Sequence, residues 1–323
     1  MAAQLDTTLA PRNKPTLYFV GVTTRQSSIM KVFPKWSEIL GIGADIEGYD
    51  APPNAPPDAY RTVVAHIKAD RHSKGALVTT HKITLLEAAR DMFDELDPYA
   101  RLCGEVSCIS KRDGLLRGHA KDPITAGLSW QAFVPRGHWG ESGAQVLCLG
   151  AGGSAIAITT FLAELDDPAD RPAKVILVNR SQERFVKLRE IHAKLAGDIE
   201  FEYVHNEDPR RNDELMAALP PGSMVINATG MGKDRPGSPV TDSGVFPKQG
   251  LVWELNYRGE LDFLHQARRQ QQERNLTIED GWVYFLHGWT QVIAEVFDVE
   301  LTPEVFAELD EAASELRPRR SVG

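Results

Sequence analysis

Short apolar runs alternate with amphipathic segments along most of the chain. Apolar runs of about four to eight residues are typical of buried strands, whereas apolar residues spaced three and four apart indicate helices. The first part of the chain is therefore predicted to contain strands at residues 17–22, 44–50 and 75–80, helices at 27–40, 58–69 and 83–96, and a hairpin of EVSCIS and LLRGHA. The connection of that hairpin, KRDG, supports it because Asp-Gly favours a tight turn.

The alternation restarts after residue 143 with further strand segments, which are QVLCLG, KVILVN, IEFEYV, MVINAT and GLVWEL. Helices are predicted from Gly153, from about Gln182, and at residues 282–297 and 303–316. Because strands and helices alternate, we expect parallel sheets covered by helices on both faces. Residues 129–143 mix Pro, Gly and aromatic residues without periodicity, which indicates a linker.

Composition excludes several classes of protein. Hydrophobic residues make up 42% of the chain and charged residues 25%, which is normal for a folded protein. The formal charge of −9 and the lack of a long basic run argue against nucleic acid or an anionic membrane as partner. The basic cluster at residues 317–320 is expected to be a solvated terminus.

Cysteine usage and the N-terminal sequence indicate a cytoplasmic enzyme. Cys103, Cys108 and Cys148 lack metal-site spacing and are interpreted as reduced thiols of the core. The polar leader at residues 1–15 lacks the apolar region of a secretory signal, and no segment reaches the ~20 apolar residues of a membrane span. We expect no membrane partner and no metal.

The segment VLCLGAGGSAIAI indicates a dinucleotide site. An apolar strand leads into a glycine-rich turn that opens a helix. Glycines permit the tight turn and let backbone amides approach a pyrophosphate, whose charge the helix N-terminus stabilises. The predicted cofactor residues of this segment are Gly150, Ala151, Gly152, Gly153 and Ser154.

The end of the next strand selects the cofactor. NAD enzymes usually place Asp or Glu there to bind the ribose 2′-hydroxyl, whereas this chain has VNRSQER. Asn179, Arg180, Ser181 and Arg184 therefore predict NADP, because guanidinium groups bind a 2′-phosphate that an acid would repel. The alternative is that both arginines are ordinary surface charges at a helix start.

Further segments resemble the shikimate dehydrogenases in their order and spacing. These segments are GVTTRQSSIMKVFP, VTTHK, GEVSCISKRDGLLRGHAKD, LGAGGSA, VNRSQER, VINATGMG, WELNYRG and GWVYFLHGW. The resemblance covers nearly the whole chain and implies an α/β protein of two domains, with an N-terminal open α/β substrate domain and a Rossmann-type NADP-binding domain. The predicted divisions are the leader at 1–15, the substrate domain at 16–128, the linker at 129–143, the NADP domain at 144–281 and C-terminal helices at 282–323 that return to the first domain.

The resemblance also implies site residues. Lys82 and Asp122 match the catalytic pair of the family, in which a base takes the hydroxyl proton while hydride passes to the nicotinamide. Thr229 and Met231 match the turn beside the nicotinamide, and Tyr257 matches a tyrosine of the substrate region. The alternatives are a surface salt bridge for the pair, a loop role for the turn and a packed tyrosine at the end of the sheet.

The substrate positions depart from the family pattern. Ser27 matches the first of two serines that hold the substrate carboxylate, but Ile29 replaces the second. Ala76 and Val78 replace the Asn and Thr that precede the catalytic lysine, and Ser107 replaces another Asn. Buried polar contacts of this kind contribute about 1–3 kcal/mol each. Shikimate is therefore expected to be a poor substrate.

New polar side chains accompany these losses. The N-T-D run of the family reads AKD here, and Gly288, after His287, replaces a Gln in the helix that closes the pocket. The candidate polar groups for a different substrate are Thr24, Arg25, Ser28, His81, Lys121 and His287. Of these, His287 joins Ser27, Ser107 and Tyr257 as a predicted substrate-binding residue.

We therefore predict an NADP-dependent dehydrogenase, monomeric or homodimeric, whose small-molecule substrate is a cyclic polyol or hydroxy-ketone other than shikimate. One alternative is a true shikimate or quinate dehydrogenase with an altered binding loop. An alternative of another class is a non-catalytic NADP-binding sensor. The presence of both Lys82 and Asp122 argues against the sensor, which needs no proton-transfer pair.

Overall fold

The computed structural model describes residues 9–140, 142–233 and 235–317. The chain divides into two compact units, of which the first ends at Lys121 and resumes at Gly288, and the second extends from Asp122 to His287. The first eight residues of the predicted leader and residues 318–320 of the basic cluster lie outside the described residues.

The first unit is built on a mixed sheet. Its strands are β1 (Thr16–Gly21), β2 (Asp45–Asp50), β3 (Ser73–Val78), β4 (Glu95–Leu96), β5 (Cys108–Arg112) and β6 (Leu115–His119). Its helices up to this point are α1 (Ile29–Ile39), α2 (Pro57–Ala69), α3 (Lys82–Ala89) and α4 (Pro98–Cys103). The strand order is β2-β1-β3-β5-β6-β4.

The sheet of this unit is mixed, with parallel and antiparallel pairs. β1 pairs in parallel with β2 and β3, but β5 is antiparallel to both β3 and β6. The cause is the predicted hairpin, whose turn residues Asp113 and Gly114 have φ angles of 55° and 77°. A two-residue turn with positive φ at both positions matches the twist of antiparallel strands.

The second unit contains a fully parallel sheet. Its elements are α5 (Asp122–Gln131), β7 (Val146–Leu149), α6 (Gly153–Ala163), β8 (Lys174–Asn179), α7 (Glu183–His192), β9 (Glu200–His205), α8 (Pro209–Ala217), β10 (Met224–Asn227), β11 (Leu251–Glu254), α9 (Asp262–Arg274) and β12 (Thr277–Glu279). The strand order β12-β11-β10-β7-β8-β9 is the doubly wound order of a Rossmann fold. The chain reverses direction across the sheet between β7 and β10, so a crevice forms at their carboxyl ends.

The predicted linker begins inside helix α5, and the structural boundary lies ahead of it, between Lys121 and Asp122. Trp130 near the end of α5 lies 6.4 Å from Phe161 and 6.2 Å from Trp253 between ring centroids. The aromatic residues of the irregular stretch therefore belong to the core of the second unit.

Two C-terminal helices follow, α10 (Trp282–Phe297) and α11 (Pro303–Ala313). The chain from Gly288 onward belongs to the first unit, and the Trp36 indole of α1 donates a hydrogen bond of 2.8 Å to the carbonyl of Leu309 in α11. The apolar face predicted for α1 is confirmed, because Ile29, Val32 and Trp36 are buried.

Candidate functional site

A pocket of about 700 Å³ lies at the carboxyl ends of the central strands of the second unit. Its walls are the turns that follow β7, β8, β9 and β10. This is the crevice that the strand order of a doubly wound sheet creates, and its volume suits a ligand of cofactor size.

The turn after β7 brings backbone close to this pocket. Gly150 has a φ of 126°, and a Cβ there would lie 2.4 Å from the carbonyl oxygen of Ala228, so glycine is required. A Cβ on Gly152, in contrast, would point into space that the described residues leave open to 4 Å. Helix α6 begins at Gly153, and Ala155 in its first turn is fully buried against the sheet. The turn therefore offers amides and a helix N-terminus to an anion.

The turn after β8 carries the guanidinium groups. The Asn179 side-chain amide donates to the carbonyl oxygen of Ser181 at 2.9 Å, and His205 Nε2 lies 3.0 Å from the carbonyl oxygen of Arg180. These contacts fix the backbone, while the Arg180 and Arg184 side chains are exposed and line the pocket. The arrangement suits a phosphate group on the ligand.

The turn after β10 is held by a buried carboxylate, Glu254. Its Oε2 accepts a hydrogen bond of 2.6 Å from Asn227, and its Oε1 accepts one of 2.6 Å from the side-chain amide of Asn256. Asn227 in turn accepts hydrogen bonds from the backbone and hydroxyl of Thr229 at 3.1 and 2.6 Å. Burial raises the pKa of Glu254 to about 7.

The structure brings most of the predicted cofactor residues together. Those that line the pocket are Gly150, Ala151, Gly152, Asn179, Arg180, Ser181, Arg184, Thr229 and Met231. Gly153 and Ser154 are the first residues of α6, directly after this lining. Three segments that are far apart in sequence thus meet at one pocket.

Several residues of the pocket escaped sequence reasoning. Arg235 lines it from the loop after β10, where its carbonyl accepts a hydrogen bond of 2.6 Å from the amide of Gly232. Asn206 and Asn212 line it from the region after β9 and are joined by a hydrogen bond of 2.8 Å. The sequence signal for these residues was their position after strands of the sheet. Polar residues are common at such positions, so this signal did not single them out.

The predicted catalytic and substrate residues lie elsewhere in the two units. Lys82 is the first residue of α3, and Asp122 is the first residue of α5; both are half-buried. Ser27 is half-buried in the first unit, after a short 3₁₀ turn. Tyr257 belongs to the second unit, where its ring lies 5.7 Å from that of Trp282.

Two polar candidates of the first unit, Ser107 and Lys121, have partners within that unit. Ser107 is buried, and its hydroxyl accepts a hydrogen bond of 2.8 Å from the amide of Lys121. The Lys121 ammonium forms an ion pair of 2.6 Å with Glu295. Thr24 is buried, Ser28 is half-buried and Arg25 is exposed, and His287 is half-buried on α10 of the second unit.

His81 uses both ring nitrogens inside the first unit. Its Nδ1 lies 3.0 Å from the Tyr60 hydroxyl, and its Nε2 lies 2.9 Å from the carbonyl oxygen of Ala51. A neutral ring that donates from Nε2 and accepts at Nδ1 satisfies both contacts. His81 therefore holds the start of α3, next to Lys82, and is not available as a catalytic base.

Within the described residues, no cluster of His, Cys, Asp or Glu is arranged to hold a metal ion. The helices of that part of the chain also lack the length and apolar character of a membrane span. All three cysteines are free and buried, as predicted.

The chain is similar in sequence to shikimate dehydrogenases (NADP(+)). It is 32% identical over 181 residues to the enzyme of Streptococcus thermophilus, an alignment that covers 56% of this chain and 59% of that enzyme. It is 30% identical over 219 residues to the enzyme of Symbiobacterium thermophilum, covering 67% of this chain and 69% of that enzyme. No protein-family model matches the chain.

Solved structures share the fold. A shikimate dehydrogenase in complex with NADP+ matches with a TM-score of 0.72 at 19% identity, covering 95% of this chain and 96% of that one. Quinate dehydrogenase from Corynebacterium glutamicum in complex with NAD gives 0.73 at 18%, covering 94% and 99%. The ligand-free 5-ketofructose reductase of Gluconobacter sp. strain CHM43 gives 0.66 at 19%, also covering 94% and 99%. At these identities the likeness establishes the fold.

Proposed function

The chain belongs to the shikimate dehydrogenase family, and on this premise we propose that it is an NADP-dependent oxidoreductase for a cyclic polyol or hydroxy-ketone other than shikimate. Hydride passes between NADP(H) and a secondary alcohol or its ketone. The observation that carries the proposal is the pocket after β7 and β8, where a glycine turn and two exposed arginines meet.

The pocket fits NADP in particular. A Cβ-free position at Gly152 leaves room for a pyrophosphate near the N-terminus of α6. Arg180 and Arg184 stand where NAD enzymes carry an acid, and Arg235 adds a third guanidinium from the opposite loop. Glu183 and Glu207 also line the pocket, but the three arginines outnumber them, so the lining still favours a 2′-phosphate.

The proposed change of substrate rests on the positions that lost polar groups. Ile29, Ala76 and Val78 are fully buried apolar side chains, and the last two belong to the core of the first unit. Each therefore offers packing where the family offers a hydrogen bond. The same fold is found in a 5-ketofructose reductase, so the fold itself is compatible with other substrates.

Lys82 and Asp122 are the proposed proton-transfer groups. Lys82 takes the hydroxyl proton during oxidation and returns it during reduction, and Asp122 is the second member of the pair that the family resemblance implies. Each is the first residue of a helix, a position that its element holds firmly. His81 supports this assignment, because its two hydrogen bonds anchor the residue before Lys82.

A substrate screen tests the proposal. The purified chain is mixed with NADP and cyclitols, sugar acids, quinate or shikimate, and the absorbance of the reduced cofactor is followed. We expect turnover of a compound other than shikimate at a kcat of about 10 s⁻¹ or above. Turnover of shikimate at that rate would instead favour the alternative that the sequence relatives support, a true shikimate dehydrogenase. NADP binding without any turnover would favour a sensor.

A further inference from the structure

Glu254 is fully buried at the end of β11, surrounded by hydrogen-bond donors. Asn227 donates to Oε2 at 2.6 Å, and Asn256 donates to Oε1 twice, from its side-chain amide at 2.6 Å and from its backbone at 2.8 Å. Such a set of donors requires an acceptor at both carboxyl oxygens. The arrangement therefore fits the ionised carboxylate.

The same network fixes the turn that lines the cofactor pocket. Asn227 can donate to Glu254 only with its oxygen turned toward Thr229, where it accepts from the backbone amide and the hydroxyl. That hydroxyl then accepts from the backbone amide of Met231 at 3.1 Å. The carbonyl of Met231 lies 3.3 Å from the side-chain nitrogens of both Asn227 and Asn256. Each of these contacts leads back to Glu254.

We infer that Glu254 is a positioning residue for the cofactor, which as a carboxylate holds the Thr229–Met231 turn in its binding conformation and as a carboxylic acid releases it. The inference rests on the proposed function for the identity of the ligand. It assigns Glu254 no contact with substrate or cofactor, since it acts through Asn227 and Asn256.

Protonation conflicts with the network at either oxygen. A proton on the lone pair of Oε2 that accepts from Asn227 faces the amide nitrogen, so two donors meet, and relief requires the Asn227 amide to rotate. Rotation removes the acceptor of both Thr229 hydrogen bonds. A proton on the other lone pair removes the charge and leaves Oε2 a weaker acceptor for Asn227. A proton on Oε1 faces the backbone N–H of Asn256, which cannot rotate.

The surroundings of Glu254 place its protonation near neutral pH. Burial raises the pKa of Glu254 to about 7, and the charge of Asp280 acts in the same direction. The hydrogen bonds from Asn256 and Asn227 oppose that rise. Above pH 7 the carboxylate form prevails, so cofactor affinity is expected to increase as the pH rises through that value.

The test uses Glu254→Gln, which has the shape of the protonated acid. NADP affinity is measured by titration calorimetry at pH 6 and pH 8 for the wild type, for Glu254→Gln and for Asp242→Asn as a surface control in the same unit. The 2′-phosphate also titrates near pH 6, but its effect is common to all three proteins. Between pH 6 and pH 8, we expect the NADP affinity of the wild type to rise about tenfold more than that of Glu254→Gln. The affinity of Asp242→Asn is expected to rise as much as that of the wild type.

A second measurement needs no cofactor. Hydrogen exchange of the Thr229 and Met231 amides is compared between wild type and Glu254→Gln at pH 8, where we expect at least tenfold faster exchange in the variant. Thr229→Val removes the hydroxyl that bonds to Asn227 and Met231, while the Glu254 carboxylate stays in place. This variant is expected to weaken NADP binding, which tests the inference should Glu254→Gln fail to fold.

The outcomes separate the inference from the proposed function. Equal exchange rates and parallel pH curves in wild type and Glu254→Gln would overturn the positioning role, as would wild-type affinity in Thr229→Val. A wild type that binds no NADP at either pH would overturn the proposed function instead. The exchange measurement would still decide the role of Glu254 in that case.

Discussion

At the scale of single residues, we propose that cofactor choice depends on the arginines that follow β8. Arg180→Ala is expected to weaken NADP binding about tenfold, or ~1.4 kcal/mol, and to leave NAD binding nearly unchanged, because only the 2′-phosphate loses its partner. Titration calorimetry with both cofactors measures this. Arg189→Ala is the matched control, since Arg189 lies on helix α7, which follows the turn of Arg180, with its guanidinium 4.6 Å from the centre of the Tyr203 ring. Equal affinity of the wild type for NADP and NAD would contradict the prediction.

We propose that proton transfer depends on Lys82. Lys82→Ala is expected to lower kcat by roughly 10²–10⁴ on the substrate that the screen identifies, with NADP affinity almost unchanged. Steady-state kinetics and calorimetry measure the two quantities, and the exposed Lys31→Ala is the control. A kcat within threefold of the wild type would mean that another group is the base, and Tyr257 would be the next candidate.

The sequence predicted those pocket-lining residues that stand next to a recognisable turn. Gly150 and Arg180 follow apolar strands directly, and the chemistry of a dinucleotide makes both positions interpretable. Arg235 and Glu254 had no such signal. Arg235 reaches the pocket through the path of a loop, and Glu254 acts through partners on a neighbouring strand, so only the folded chain reveals either one.

At the scale of the elements, the turn between β7 and α6 separates stability from binding. Gly150→Ala is expected to lower the free energy of unfolding by roughly 2 kcal/mol or more, because its Cβ would collide with backbone and its φ is positive. Gly152→Ala is expected to preserve stability within about 1 kcal/mol but to weaken NADP binding at least tenfold, because its Cβ occupies the open side of the turn. Denaturation and calorimetry measure the pair. Unchanged NADP affinity in Gly152→Ala would place the pyrophosphate elsewhere.

Elements with an apolar stripe or a continuous apolar run were predicted, and several helices with neither were missed. Helix α1 has a clear apolar stripe, and β7 and β8 are continuous apolar runs. Helix α5 is buried on several sides at once, so its sequence shows little periodicity. Helices α8 and α9 are mostly polar and bury few side chains, and the predicted helix at 83–96 ends at Ala89 because β4 joins the sheet edge.

At the scale of the whole molecule, His192 links stability to pH. Burial lowers the pKa of His192 to about 4, and the ring is held between Thr159 and Tyr203 at 2.8 and 2.7 Å. Between pH 6.5 and 4 the unfolded chain binds a proton that the folded chain excludes, so the contribution of His192 to stability is lost as the pH falls.

The stability difference between wild type and His192→Gln is therefore expected to shrink by about 2 kcal/mol from pH 7 to pH 5. Chemical denaturation at both pH values measures it. His205→Gln, at an exposed position, is the control. A stability difference that stays constant with pH would show that His192 is protonated in the folded chain as readily as in the unfolded one.

The first unit is built from two separate stretches of the chain, and this affects the order in which the units can fold during translation. The indole of Trp36 donates to a carbonyl 273 residues later, in α11, whereas the second unit is continuous from Asp122 to His287. At a synthesis rate of roughly 5–20 residues per second, the Leu309 carbonyl reaches the growing chain some 14–55 s after the indole. During translation the second unit is complete before the first has received its last helix. The nascent first half must therefore stay free of misassembly while it waits, so its exposed apolar surface is open to aggregation during the ribosome-bound stage.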